Sequence, residues 1–365
     1  MKQLQQTKNW FYAAILGLSL AACTKTPEPT PPYGDGVLVI NEGNFLDNNG
    51  SLSLVSRGNT TASLDVFLKE NMRPITGGVG GYAEIDGKGL ILVDNSTAGL
   101  DKVEIVDAGT MKTIATLAAP DIENPREVVS VGNNKAYVSC WGTTGTFPNF
   151  YANPGYVAVI DLATNKITKK ITLQKGAEGM VVVGSEAFVG GVGGDRLVQV
   201  IDIQKDELKT ASIAMGGSAG VLQVDANNKI WAFVSREAVR IDPTAKSIET
   251  RIRVGSSTTK SPSNLTMSSD KRTIYYMSTF FDPADGFKQK GEMYSFKISD
   301  TAISDAAPLA RRMFTGLGYD PKSGLIYAGS TPSFKQAGFV LRYQPDGKLI
   351  DSVKVEIAPS GFFFK

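Results

Sequence analysis

KAYVSCWGTTGTFPNFYANPGYVAVIDLATNKITKKITL, residues Lys135 to Leu173, holds three short runs of strand-forming residues. They are KAYVSCW (Lys135–Trp141), YVAVIDL (Tyr156–Leu162) and ITKKITL (Ile167–Leu173). A loop rich in Gly, Asn and aromatic residues separates the first two, and the turn ATNK separates the last two. Just upstream, REVVSVGNN (Arg126–Asn134) adds one more strand and a turn. The result is four short strands joined by turns, with alternating or wholly apolar patterning.

The unit recurs at Gly89–Leu117, Glu186–Ile213, Lys229–Val254, Thr273–Ser304 and Leu325–Val355. Asp107, Asp161, Asp202, Asp242, Asp300 and Asp346 mark equivalent turns, spaced 54, 41, 40, 58 and 46 residues apart. Four strands in a repeat of this size are the signature of a β-propeller blade. The spacing varies because one loop per blade varies while the strands stay short. The first blade is incomplete at its front: VLVINEG (Val37–Gly43), SLSLVS (Ser51–Ser56) and ASLDVF (Ala62–Phe67) give only three strands. APSGFFFK (Ala358–Lys365) matches the innermost strands NPREVVSV, KGAEGMVVV and SPSNLTMS of other blades. The pattern therefore predicts an all-β protein, a seven-bladed β-propeller of four-stranded antiparallel blades. It is closed by the C-terminal strand pairing in the first blade, which removes the open edge a linear array would leave.

Residues 1–22 carry Lys2 and Lys8 ahead of an apolar run, Trp10–Ala22, too short to span a bilayer. They read as a signal peptide, and Leu20-Ala21-Ala22-Cys23 matches a lipobox, with Cys23 the acylated residue. Residues 23–35 read as a lipid-anchored, Pro-rich tether, and 36–365 as the propeller. Membrane association then runs through the lipid anchor only. Without the leader, 36 basic residues balance 36 acidic ones, so the composition gives no support for a nucleic-acid partner. The chain has no histidine, which excludes Ser-His-Asp and Cys-His catalysis and His-ligated zinc or haem. No cofactor or metal is expected. With Cys23 consumed by lipid, Cys140 has no intramolecular partner and reads as a small buried hydrophobe on a strand.

Short hydrophilic turns (GNNK, ATNK, ANNK, PDGK) belong on one face of the disc. The long loops belong on the other: Asn41–Gly50, Asp94–Asp101, Trp141–Tyr156, Ser278–Glu292 and Ser330–Phe339. Aromatics crowd them, with Trp141, Phe147, Phe150, Tyr151 and Tyr156 in one, and Phe280, Phe281 and Phe287 in another. Each long loop folding over its own rings is one outcome; a stacking wall for a large amphipathic ligand is the other. GGVGG at Gly77–Gly81 and Gly190–Gly194 opens no helix in a βαβ unit and reads as tight backbone near the channel.

The repeated AYV…VIDL…TNKI pattern resembles the YncE/YVTN-type seven-bladed propellers. More narrowly, VLVINEGNF, AYVSCW, FVLRYQPDGKLIDSVKV and the terminal PSGFFFK resemble the BtuG-type surface lipoproteins of gut-dwelling Gram-negative bacteria. That resemblance implies a non-enzymatic outer-membrane lipoprotein, displayed at the cell surface. It would capture cobalamin or another corrinoid and pass it to a TonB-dependent outer-membrane transporter. Asn41, Glu42, Gly43, Asn44, Phe45, Cys140 and Trp141 match its pattern. The ligand-binding set expected on the long-loop face is Asn41, Glu42, Asn44, Phe45, Asn95, Trp141, Phe150, Tyr151, Phe281 and Phe334. The alternatives from other classes are an envelope scaffold with no small ligand, and an enzyme using a carboxylate or a bound metal.

Overall fold

The computed structural model describes residues 31–146 and 149–365. The leader, Cys23, the tether as far as Thr30, and Phe147 lie outside the described residues. The remainder forms seven antiparallel sheets. Their inner strands are Pro359–Phe364, Gly78–Ile85, Pro125–Ser130, Ala177–Val183, Gln223–Val224, Ser261–Met267 and Gly316–Tyr319, from the first blade to the seventh. Each lies against the next, and the seventh lies against the first, so the ring is closed.

The closure is the one the sequence predicts. Pro359–Phe364 pairs antiparallel with Val37–Asn41, from Val37–Phe364 to Asn41–Pro359. Strand alternation then builds the core, because successive side chains point to opposite faces. Val37 and Val39 pack toward the seventh blade with Tyr327 and Val340. Leu38 and Ile40 pack toward the second with Val79, Tyr82 and Ile91. Seven such apolar clusters fill the seven gaps between neighbouring blades. Cys140 ends the strand Lys135–Cys140 fully buried, and that burial pushes its thiol up to about 12, so it is an inert packing group.

Four details differ from the sequence pattern. The first blade's outer strand is only Ala62–Ser63; the chain then turns into a helix, Val66–Asn71, whose N-cap Asp65 accepts the Leu68 N–H. The sixth blade has three strands, its outer position held by a bridge between Met293 and Ala310. Ser278–Glu292 is largely strand, since Thr273–Asp282 and Lys288–Lys297 pair without interruption. Finally, the tether packs at its C-terminal end. Tyr33 is 2% exposed, its N–H donates to the Gly109 carbonyl at 3.0 Å, and its hydroxyl donates to Glu70 at 2.6 Å. Gly109 lies in an outer turn of the second blade, so the described chain begins on the short-turn face.

Candidate functional site

Inner strands decide what faces the mouth of the channel. Several carry a β-bulge near the long-loop end: the pairing register shifts between Val79 and Gly81, Pro125 and Glu127, Ala177 and Met180, and Ser263 and Thr266. A bulge adds one residue and re-aims its side chain. Arg126 and Glu178 are such residues, and they meet on the long-loop face.

Arg126 is the centre. Its Nε donates to Glu178 at 3.2 Å, its Nη1 reaches Asp94 at 3.5 Å, and its guanidinium lies 4.0 Å from the centre of the Trp141 ring. The Trp141 indole N–H donates to the other Glu178 oxygen at 2.6 Å. Phe150 and Tyr151 stand edge-on to Trp141 at 5.6 and 5.1 Å, and to each other at 5.5 Å. Two adjoining cavities open around this group. One, about 170 Å³, is lined by Glu42, Phe45, Gly80, Asp94, Arg126 and Ser360. The other, about 380 Å³, runs on over Asn95, Asp101, Glu123, Trp141 and Phe150. Phe45, Asp94 and Arg126 belong to both walls. A larger cavity, about 1130 Å³, is the opposite mouth of the channel, on the short-turn side, walled by Val129, Met180, Met267, Tyr319 and Phe362–Phe364.

Burial raises the proton affinity of several carboxylates at the long-loop site. Burial, then the neighbouring Asp101, pushes Asp94 up to about 6 against the pull of Arg126. Burial likewise raises Glu42, Asp101 and Glu178. Glu127 opens onto the channel, yet protein surrounds it, and that crowding pushes its carboxyl up to about 7. The sign for stability follows. Between about pH 4 and pH 7 the folded state binds more of these protons than the unfolded chain, so stability falls as pH rises through that window. Asp94→Asn is expected to raise the melting temperature at pH 7 and to flatten the fall between about pH 4 and 6. Melting curves against pH check this, and a profile superimposable on the parent's would contradict it. Among the described residues no group of three or more His, Cys, Asp or Glu side chains is placed to hold a metal ion.

Of the residues expected from the sequence, Glu42, Phe45, Asn95, Trp141 and Phe150 line the two cavities. Asn95 also braces its loop, donating to the Thr76 carbonyl and accepting the Thr97 N–H. Tyr151 stands behind Trp141 and packs over Gly193. Asn41 is corrected: it is fully buried, and its amide donates to Ser51 and Ser53 inside the first blade. Asn44 is corrected too: its side chain accepts the N–H groups of Leu46 and Asp47 and caps a short helical turn. Phe281 and Phe334 are exposed but lie on the sixth and seventh blades, outside both cavities. The ligand-binding set expected from the sequence lacks Asp94, Arg126 and Glu178. A usable signal was present: in the aligned inner strands PREVV and AEGMV, the charged residue follows the same small or apolar position.

A family model described as "Domain of unknown function (DUF5074)" matches residues 35–365. No curated protein matches the chain. Among solved structures it is similar to a quinonprotein alcohol dehydrogenase-like protein from Bacteroides thetaiotaomicron VPI-5482, at 16% identity and a TM-score of 0.64, over 91% of this chain and 78% of that one. It is also similar to a functionally unknown protein from Desulfotomaculum acetoxidans DSM 771, at 11% identity and a TM-score of 0.62, over 90% of this chain and 98% of that one. At these identities the likeness concerns the propeller fold alone.

Proposed function

Since the chain belongs to the DUF5074 family and its fold is a propeller, we propose that it is a non-enzymatic binding protein of the cell envelope, using the long-loop face of its first three blades to capture a large amphipathic molecule. A corrinoid such as cobalamin is the first ligand to test. One observation carries the reading: a wall of Phe45, Trp141 and Phe150 is continuous with Glu42, Asp94 and Arg126 around two adjoining cavities. Rings suit an apolar macrocycle, while carboxylates accept from amide N–H groups and the arginine donates to carbonyls. The cavities are small, so they would take the amide arms of such a ligand while its body lies across the face. The anchor reading is an independent part of the proposal, carried by Leu20-Ala21-Ala22-Cys23. Hand-over to a TonB-dependent transporter would use the long-loop face.

Absorbance titration and calorimetry with cyanocobalamin test the ligand; no binding at micromolar protein overturns it. Trp141→Ala is expected to weaken binding at least tenfold, about 1.4 kcal/mol, with Phe45→Ala next. Lys166→Ala, in a turn on the opposite face, should change nothing. If Trp141→Ala lowers the melting temperature and leaves affinity unchanged, the ring is packing only. Cys23→Ser should move the protein from the membrane to the soluble fraction, and continued membrane association would exclude lipidation as the anchor.

A further inference from the structure

The long-loop face is electrically lopsided, and its two halves complement each other. Glu42, Asp94, Asp101 and Glu123 of the first three blades, with Glu178 of the fourth, surround Arg126. Nearly opposite the second blade in the ring of seven, the sixth raises an arm. Its strands Thr273–Asp282 and Lys288–Lys297 pair as far as Asp282–Lys288, but pairing with the inner strand beside them ends at Ser261–Thr279. The tip therefore stands clear of the inner strand. It is braced: Asp282 accepts the Ala284 N–H, and Asp285 takes ion pairs from Lys288 and Lys290. Yet this rigid tip turns apolar surface outward. Phe281 is 62% and Phe287 68% exposed, and Phe287 is held at φ +59°, an unfavourable region for an aromatic residue. Lys288, Arg311 and Arg312 are exposed around it.

We infer that a second copy of this chain seats on this face, the two meeting about a twofold axis so that the arm of each places Phe281 and Phe287 against the Phe45–Trp141–Phe150 wall of the other. A twofold lying across the disc exchanges opposite sides of the face, so both contacts form at once and the interface is closed. Asp285 offsets the arm's own Lys288 and Lys290, so it is the exposed Arg311 and Arg312 beside each arm that meet the acidic cavity rim of the other copy, twice. Stiff, exposed rings are good anchors because little freedom is lost when they dock. A lipid surface is the weaker occupant, because lipid would leave the carboxylate half without a partner. The arm and a small ligand use the same wall. Insofar as the ligand reading above holds, ligand and second copy exclude each other.

Sedimentation velocity on the full chain carrying Cys23→Ser, at about 1 to 100 µM, tests this without any acyl contribution. A dimer is expected in 50 mM salt on the order of these concentrations, dissociating in 500 mM salt. Phe287→Ser and Arg312→Glu should each raise the dimer dissociation constant about tenfold or more at unchanged melting temperature. A monomer at 100 µM in low salt, or a dimer indifferent to both substitutions, overturns the inference. Monomers that bind anionic phosphatidylglycerol vesicles through Phe287 overturn it as well, and give the arm to lipid. Adding cyanocobalamin separates the two proposals: a dimer that ignores it defeats only the ligand reading, a dimer that it dissociates supports both, and a chain already monomeric in low salt before it is added, yet able to bind it, defeats only this one.

Discussion

Removal of Gly361–Lys365 is expected to unfold the whole propeller rather than fray one end. Val37–Asn41 lies second from the channel, and these residues are its partner on the inner side. Their loss leaves its backbone groups bare in the middle of the molecule. The three rings divide between two seams. Phe363 meets Tyr82 of the second blade edge-on at 5.0 Å, while Phe362 and Phe364 meet Tyr327 of the seventh at 5.9 and 5.4 Å. The seventh blade is cut to fit: a Cβ on Gly316 or Gly329 would come within 2.0 or 1.8 Å of the carbonyls of Ser360 and Pro359. Lys365 adds a clasp, pairing with Glu84 at 3.0 Å and donating its backbone N–H to the Gly36 carbonyl. Truncating one well-packed Phe costs about 3–5 kcal/mol, so losing three with their strand removes much of the roughly 5–15 kcal/mol that holds a domain folded. Thermal melting and gel filtration check this. A truncated chain that melts with the parent would refute closure by this strand; Phe363→Ala should fall between the two.

The fold was legible because its determinants are local and repeated. Strand period, short Asn- and Gly-rich turns and a recurring Asp are visible in any one blade, and PSGFFFK looks like an inner strand whose blade lies elsewhere. The site was legible only where composition marks it. Phe45, Trp141 and Phe150 stand out as rings in polar loops, but Arg126 and Glu178 sit on strands, and their direction depends on a bulge, a property of pairing rather than of sequence. Asn41 misled for the converse reason: beside a loop it looks available, yet it is the last strand residue and its amide is tied to Ser51 and Ser53. Phe281 misled because DPADG signals a turn without saying how far the strands run before it. Only the pairing through Asp282–Lys288 makes the segment an arm rather than a wall of the cavity.

Asp320→Ala is expected to cost about 3–5 kcal/mol at the seam between the last blade and the first. Asp320 is fully buried and accepts from Arg57 Nε at 2.8 Å and Nη2 at 3.0 Å, from the Lys322 N–H at 3.1 Å and from the Ser323 hydroxyl at 2.7 Å. Arg57 belongs to the first blade, so the fork ties residues 263 positions apart. Removing the carboxylate strands a mostly buried guanidinium, which retains only Asp35 at 2.9 Å, whereas Arg57→Leu with Asp320→Leu removes both charges and should cost less than the two single changes together. The pH dependence runs opposite to that of Asp94. Burial works to raise the Asp320 carboxyl, but Arg57, Ser323 and the Lys322 N–H outweigh it and hold the group below the ordinary carboxylate range. Its contribution is present above the unfolded pKa and is lost as pH falls through the folded one. Acid should therefore open the seam between the first and last blades while the carboxylates of the binding face, protonated, no longer oppose folding. In Asp320→Asn the melting temperature at pH 7 should drop, and the further loss below about pH 4 should shrink. An acid limb as steep as the parent's would place the acid-labile contact elsewhere.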